Sequence, residues 1–341
     1  MEGRAEVAPG RHPYAAGPVR FLQHRLGMRL RTLLFVLVLS SLAACAKDTR
    51  AINTIQGNPA DTLPPMRALA PPAQVVIGDL RKPESALYDP EQDVYFISNV
   101  NGDMLTQDNN GFISRVDPKT FHLALKWIEG GKNGVTLDAP KGLAILGDTL
   151  YVSDVTGVRR FDRRTGAPRG IVALPGAVFI NDLTTNGKDT VFVSDTGVRI
   201  GPGTTFIPTG TDAVWKIGGD RAEKIASGED LKHPNGLDFV DGKLRVVTFG
   251  ANELYVLDGG KKRDVVKLDG AQLDGLTHLA DGTPIVSSWE ANEIFRGGRG
   301  DTFHAILAGT DTPADIGYDA THHRLLVPHA GANYVTIHPL Q

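Results

Sequence analysis

V-Y-F-I-S-N at residues 94–99 is followed by L-Y-V-S-D at 150–154, V-F-V-S-D at 191–195, L-R-V-V-T at 244–248, P-I-V-S-S at 284–288 and L-L-V-P-H at 325–329. Each is a short, β-branched run ending on a polar residue, the composition of a strand. After each comes a third segment: I-S-R-V-D (113–117), V-R-R-F-D (158–162), A-V-W-K-I (213–217), E-L-Y-V-L-D (253–258), E-I-F-R (293–296) and Y-V-T-I-H (334–338). Polar, amphipathic fourth strands are predicted at 122–129, 170–174, 222–227, 262–268 and 302–308. A turn-rich, often Pro-containing approach and a short apolar strand precede each unit.

Six such units make a repeat protein. The sixth lacks a fourth strand, whereas Q-V-V-I-G-D-L at 74–80 is a strand without a unit. Pairing these two orphans closes a ring and leaves no open sheet edge. The expectation is an all-β, six-bladed β-propeller over residues 74–341, closed by its N-terminal strand.

The chain of 341 residues has a net charge of −3, with glycine (39) and proline (21) spread along it, as a turn-rich fold requires. No basic face for nucleic acid is expected. From Met28 the order is M-R-L-R-T, an apolar run, then L-A-A-C ending at Cys45, the only cysteine. A basic segment, a short apolar run and a small-residue site make a secretory signal, too short to span a bilayer comfortably. Leu42-Ala43-Ala44-Cys45 resembles the bacterial lipobox, in which the cysteine is acylated. On that reading residues 1–27 are an upstream extension, 28–44 the signal peptide, and 45–73 the lipidated cysteine with an Ala/Thr/Pro-rich tether. The protein is then expected in the bacterial envelope, on the periplasmic side, with Ala46 and Lys47 resembling an outer-membrane sorting signal. Its membrane contact is the lipid anchor alone, and a monomer is expected.

Aligning the first strand of each unit (K-P-E-S, A-P-K-G, F-I-N-D, H-P-N-G, Q-L-D-G, P-A-D-I) brings Glu84, Lys141, Asn181, Asn235, Asp274 and Asp315 to one position. Each precedes the polar end of its second strand (Asn99, Asp154, Asp195, Thr248, Ser288, His329) by 13 to 15 residues. First strands line a propeller's channel, so the six converge on one mouth. Carboxylates and amides crowded together repel unless a cation sits among them. Hard oxygen donors suit Ca²⁺, with Mg²⁺ or Mn²⁺ as lesser options, and argue against zinc. Singly, each residue reads as a turn cap or a water-binding channel residue.

Pro83-Glu84-Ser85-Ala86 with Tyr88-Asp89-Pro90, Ile180-Asn181-Asp182-Leu183, His233-Pro234-Asn235-Gly236-Leu237 and Leu273-Asp274-Gly275-Leu276 together resemble the senescence marker protein/gluconolactonase family of six-bladed propellers. The resemblance implies metal ligands at Glu84, Asn235 and Asp274, with Asn181 contacting substrate or completing the metal site. It implies a calcium-dependent hydrolase of lactones or esters, with Asp274 doubling as general base. Sugar lactonases of the family carry an Arg two residues before the Asn; Phe179 stands there, which points toward a less polar ligand. His329 is the histidine best placed for proton transfer, or else a hydrogen-bonded wall residue. Lys141 is either a salt-bridge partner of Glu84 or a cationic stabiliser of an oxyanion. Lys141 and Asp315 join Asn181 as candidate substrate contacts. Insertions at 103–111 and 201–210 lie where they can gate access. A non-catalytic, ligand- or protein-binding propeller lipoprotein stays open beside the hydrolase. A quinone-dependent dehydrogenase lacks the His and Arg it needs, and no G-x-S-x-G elbow supports a serine triad.

Overall fold

A computed structural model describes residues 75–340. The expected start at Met28, the signal peptide, the acylation of Cys45 and the tether lie outside the described residues. Within them the chain forms six four-stranded antiparallel sheets. Blade 1 comprises Pro83–Asp89, Val94–Asn99, Phe112–Val116 and Leu123–Glu129. Blade 2 is Leu143–Leu146, Thr149–Asp154, Gly157–Asp162 and Pro168–Val172. Blade 3 is Ile180–Thr185, Val191–Asp195, Ala213–Gly218 and Arg221–Ser227. Blade 4 is Pro234–Val240, Lys243–Thr248, Glu253–Asp258 and Lys261–Lys267, and blade 5 is Leu273–His278, Pro284–Ser288, Glu293–Gly297 and Phe303–Ala308.

Blade 6 is built from both ends of the described chain. Gly317–Asp319, Arg324–His329 and Tyr334–Pro339 are completed by Val75–Ile77, with Val75 opposite Ile337 and Ile77 opposite Val335. The closing strand is shorter than the expected 74–80, because Asp79 takes a left-handed φ of 63° that bends the chain toward blade 1. The fourth strand of blade 2 also begins two residues earlier than expected, with Pro168 opposite Phe161, while Leu174 leaves the sheet and packs inside. Among the described residues no helix is long and apolar enough to cross a membrane.

The core is divided among the blade interfaces. Phe96, Ile113, Leu150 and Val152 pack between blades 1 and 2, and Val214, Leu237, Val246 and Tyr255 between blades 3 and 4. Ile77, Tyr95, Ile97, Leu326 and Ile337 seal blade 6 to blade 1. Sheets buried on both faces explain why the second strands read as continuous apolar runs.

One element stands outside the six blades. Between the second and third strands of blade 3, Val198–Ile200 pairs with Phe206–Pro208 as a separate two-stranded hairpin. It takes in residues 201–208 of the insertion noted at 201–210.

Candidate metal centre in the propeller channel

The six aligned positions divide four to two. In blades 1, 3, 4 and 5 the pairing of first and second strands slips between Pro83 and Ala86, Ile180 and Leu183, Pro234 and Leu237, and Leu273 and Leu276. Each slip places two residues in a bulge, which breaks strict alternation and re-aims their side chains. Those residues are Glu84-Ser85, Asn181-Asp182, Asn235-Gly236 and Asp274-Gly275. In blades 2 and 6 the first strands begin only at Leu143 and Gly317, after Lys141 and Asp315 have passed.

The first residues of the four bulges line one cavity: Glu84, Asn181, Asn235 and Asp274. Their relative exposures are 4, 5, 2 and 2 %. Each brings a buried oxygen without a hydrogen-bond partner: Glu84 Oε2, Asn181 Oδ1, Asn235 Oδ1 and Asp274 Oδ1. Native interiors seldom leave one such atom unpaired, and here four residues lining one space each carry one. Asn181 shows how its oxygen is aimed. Its Nδ2 donates to Thr196 Oγ1 at 3.1 Å, and Thr196 Oγ1 donates to the Pro234 carbonyl at 3.0 Å, which fixes the amide with Oδ1 turned inward. The cavity holds about 20 Å³, room for one water or ion.

The electrostatics agree with that reading. Burial, then the Asp274 and Asp315 carboxylates, push Glu84 well above the usual carboxylate range, with Lys141 opposing. Burial and Asp315 do the same to Asp274, against the pull of nearby Trp289 and Asn235. The donor set fits a hard divalent cation: two carboxylates and two amides balance its charge and leave positions of a six- to eight-oxygen shell for water or substrate. Among the described residues no three His, Cys, Asp or Glu side chains form a metal-holding group, so the candidate set depends on its two amide oxygens as well as its two carboxylates.

The second residues of the bulges face the other way. Two of them, Ser85 and Asp182, line a larger cavity of about 370 Å³, and Asp315, which lies in no bulge, joins them there. There the first strands touch directly: Asp315 N–H donates to the Glu84 carbonyl at 2.8 Å and Gly142 N–H to the Asn181 carbonyl at 3.1 Å. Asp182 Oδ2 accepts from Leu237 N–H at 2.6 Å. Asp315 therefore belongs to the ring closure and does not line the oxygen cavity; burial pushes its carboxyl up to about 7.

Lys141 is fully buried but also stands outside that cavity. Its Nζ donates to the Ala139 carbonyl at 3.0 Å and lies 5.2 Å from the centre of the Phe179 ring. Burial lowers its pKa, while Asp154 and Glu84 raise it; among the described residues it forms no ion pair with Glu84. His329 is a wall residue of blade 6. Its Nδ1 meets the Asp311 carbonyl at 3.1 Å, its Nε2 meets Thr336 Oγ1 at 2.8 Å, and burial lowers its pKa. Neither nitrogen reaches the oxygen cavity.

Most of the polar residues ending the second strands have a local purpose. Asp154 accepts from Ala139 N–H at 2.8 Å, Asp195 from Phe179 N–H at 2.9 Å, and Asn99 from Arg81 N–H at 2.9 Å. They pin the approach to each first strand and so set the position of the channel residue two or three places later. Thr196, Phe249 and Trp289, one place beyond the strand ends, do line the cavity, and the sequence reading missed them. So were Met104 and Phe206, which enter from the 103–111 loop and the hairpin. The signal for Thr196, Phe249 and Trp289 was the strand's alternation carried one residue past its polar end.

Together these features define a six-bladed propeller whose channel is plugged by an oxygen-lined cavity. No family model matches the sequence, and no curated protein does. Solved structures resemble it in fold. A gluconolactonase from Xanthomonas campestris aligns at TM-score 0.60 and 16% identity, covering 79% of this chain and 89% of that one. A luciferin-regenerating enzyme aligns at 0.58 and 14%, covering 78% and 95%, and virginiamycin B lyase from Staphylococcus aureus at 0.55 and 13%, covering 79% and 99%. At these identities the shared property is the fold, and the neighbours carry different chemistries on it.

Proposed function

We propose that Glu84, Asn181, Asn235 and Asp274 hold a divalent cation, Ca²⁺ by their chemistry, and that the protein is a metal-dependent hydrolase of lactones or esters. The observation that carries this reading is the set of four partnerless buried oxygens around one ion-sized space. A bound cation supplies polarisation of the substrate carbonyl and a lowered pKa for an attacking water. With an ion held at Oδ1, the remaining carboxylate oxygen of Asp274 would take the proton of an attacking water as the water's oxygen bonds to the carbonyl carbon, and would return it to the departing alkoxide as the C–O bond breaks. Asn181 stays a fixed oxygen donor, because Thr196 occupies its N–H. Lys141 and His329, lying outside the cavity, take no step.

The test is calorimetric titration with Ca²⁺ beside a lactone and ester hydrolysis assay, on the wild type and on Asp274→Ala. One saturable site and metal-dependent turnover, both lost in the variant, support the reading; turnover that survives full chelation sinks it. A second reading, a propeller that binds without catalysis, is favoured by the cavity's size, since about 20 Å³ admits an ion and no substrate as it stands. Tight Ca²⁺ binding with no turnover on any lactone or ester would select it. The envelope location is likewise a proposal, resting on the signal-like run ending at Cys45. Mass spectrometry of the N-terminal peptide tests it, and an unmodified Cys45 would refute it.

A further inference from the structure

Above the four oxygens the cavity wall is apolar. Phe179 and Val198 are buried in it, while Met104, Phe206, Phe249 and Trp289 are half-buried and reach the surface. The three aromatics at the mouth form one cluster: Phe206 to Phe249 at 4.9 Å, Phe249 to Trp289 at 5.6 Å and Phe206 to Trp289 at 6.5 Å between ring centres. Hydroxyl-rich ligands need donors and acceptors along this wall, and apart from the four oxygens few are spare. Thr196 Oγ1 is engaged by Asn181 and Pro234, which leaves the indole N–H of Trp289, aimed near the Asp274 carboxyl whose pKa it lowers. An apolar wall over a few convergent polar groups is how a pocket recognises a largely hydrophobic small molecule.

Phe206 differs from the other two aromatics in what holds it. Phe249 and Trp289 directly follow blade strands, whereas Phe206 sits on the extra hairpin, whose two strands join no blade sheet. The hairpin is tied at its base, where Thr209 donates through N–H and Oγ1 to the Gly197 carbonyl, each at 2.8 Å. Its phenyl ring lines the cavity against the rings of Phe249 and Trp289.

We infer that the substrate carries an aliphatic or aromatic group of about phenyl size beside its lactone or ester carbonyl, and that this group replaces Phe206 against Phe249 and Trp289. The inference rests on the reading of the oxygen cavity as a ligand-binding metal site, and it excludes sugar lactones as preferred substrates. The two kinds of aromatic then have opposite effects. Phe249 is the surface the substrate gains; Phe206 is a competitor it must displace.

The experiment is initial-rate kinetics of the full chain with Ca²⁺ on lactones of increasing alkyl chain length, with gluconolactone as polar comparator. Burying each methylene is expected to raise kcat/KM by roughly three- to fourfold until the pocket is filled. Phe249→Ala flattens that series and raises KM, whereas Phe206→Ala lowers KM for the longer chains. Quenching of tryptophan fluorescence by the same lactones, with Trp289→Phe as control, reads binding without turnover. Chain-length-dependent quenching without hydrolysis upholds the inference and removes the hydrolase. Gluconolactone used as well as alkyl lactones, a higher KM in Phe206→Ala, or no chain-length dependence in either readout overturns the inference.

Discussion

Ser85 Oγ donates to Asp315 Oδ2 at 2.5 Å across the junction of blades 1 and 6, joining residues 230 positions apart. The same junction is made by the backbone, with Ser85 and Asp315 bridged in parallel and Ala86 N–H reaching the Asp315 carbonyl at 3.3 Å. Ring closure thus has an inner seam at the channel as well as the outer strand pairing of Val75–Ile77.

The seam makes stability depend on pH. Asp315 titrates near 7 in the folded protein against 3.8 in the unfolded chain, chiefly because it is buried. Between those values the folded state keeps a proton that the unfolded state has lost, so stability is greatest at the acid end and falls as pH rises through about 7. Asp315→Asn should flatten this slope, by on the order of a few kcal/mol across the window. Ser85→Ala, which leaves the buried carboxyl without its donor, should cost about 1–3 kcal/mol. Urea denaturation at stepped pH reads both; a slope unchanged by Asp315→Asn rules out Asp315 as its source.

Metal binding should release protons. Glu84 and Asp274 are both held well above the ordinary carboxylate range by burial and by neighbouring carboxylates, so a cation that binds them should displace protons wherever the raised pKa lies above the working pH. Affinity for Ca²⁺ is then expected to rise with pH by up to about tenfold per pH unit for each proton displaced. Calorimetry in buffers of different ionisation enthalpy counts the released protons directly. Binding heats that do not vary with the buffer would mean the carboxylates are already ionised.

Gly236 holds two blades close together. A Cβ there would meet the Asp274 carbonyl oxygen at 2.2 Å and Leu276 N at 2.8 Å, both backbone atoms of blade 5 that cannot swing aside. Gly236→Ala should therefore force blades 4 and 5 apart, cost about 3 kcal/mol or more, and shift the Asp274 carboxylate out of the cavity. Loss of Ca²⁺ binding together with a lowered denaturation midpoint is the expected pair of results. Wild-type stability in the variant would show that the first strands are not locked at this point.

The fold was legible because a propeller repeats its strand pattern, and each second strand announces itself by composition. Even the closure was readable, from one strand too few at one end and one too many at the other. The site was readable only in part. Glu84, Asn181, Asn235 and Asp274 do share a cavity, yet Lys141 and Asp315, aligned with them in sequence, do not. The difference is the bulge, present in four blades and absent in two, and a slip in register leaves no mark in residue spacing. His329 looked available because it ends a strand, but its partners Asp311 and Thr336 are a loop and a neighbouring strand brought together only by folding. Phe206 was hidden for a different reason: an inserted hairpin obeys no repeat.

Lys141 offers the last test, because its buried ammonium acts on the metal centre without lining it. Stacked against Phe179 and bonded to the Ala139 carbonyl, it lies near enough to Glu84 for each to bias the other's charge. A cation fixed beside the ligand set repels an incoming Ca²⁺ by on the order of several kcal/mol at the effective dielectric of a protein interior, offset in part because the same ammonium helps keep Glu84 ionised. Lys141→Met keeps the volume and the contact with Phe179 while removing the charge, so the fold should hold and Ca²⁺ affinity should rise by about tenfold or more. The opposite outcome is informative. Burial lowers the pKa of Lys141; were the amine neutral at working pH, the substitution would leave affinity unchanged near neutrality and raise it only in acid, where the wild-type amine regains its proton. Affinity measured for both proteins across that range separates a permanent cation from a buried neutral amine.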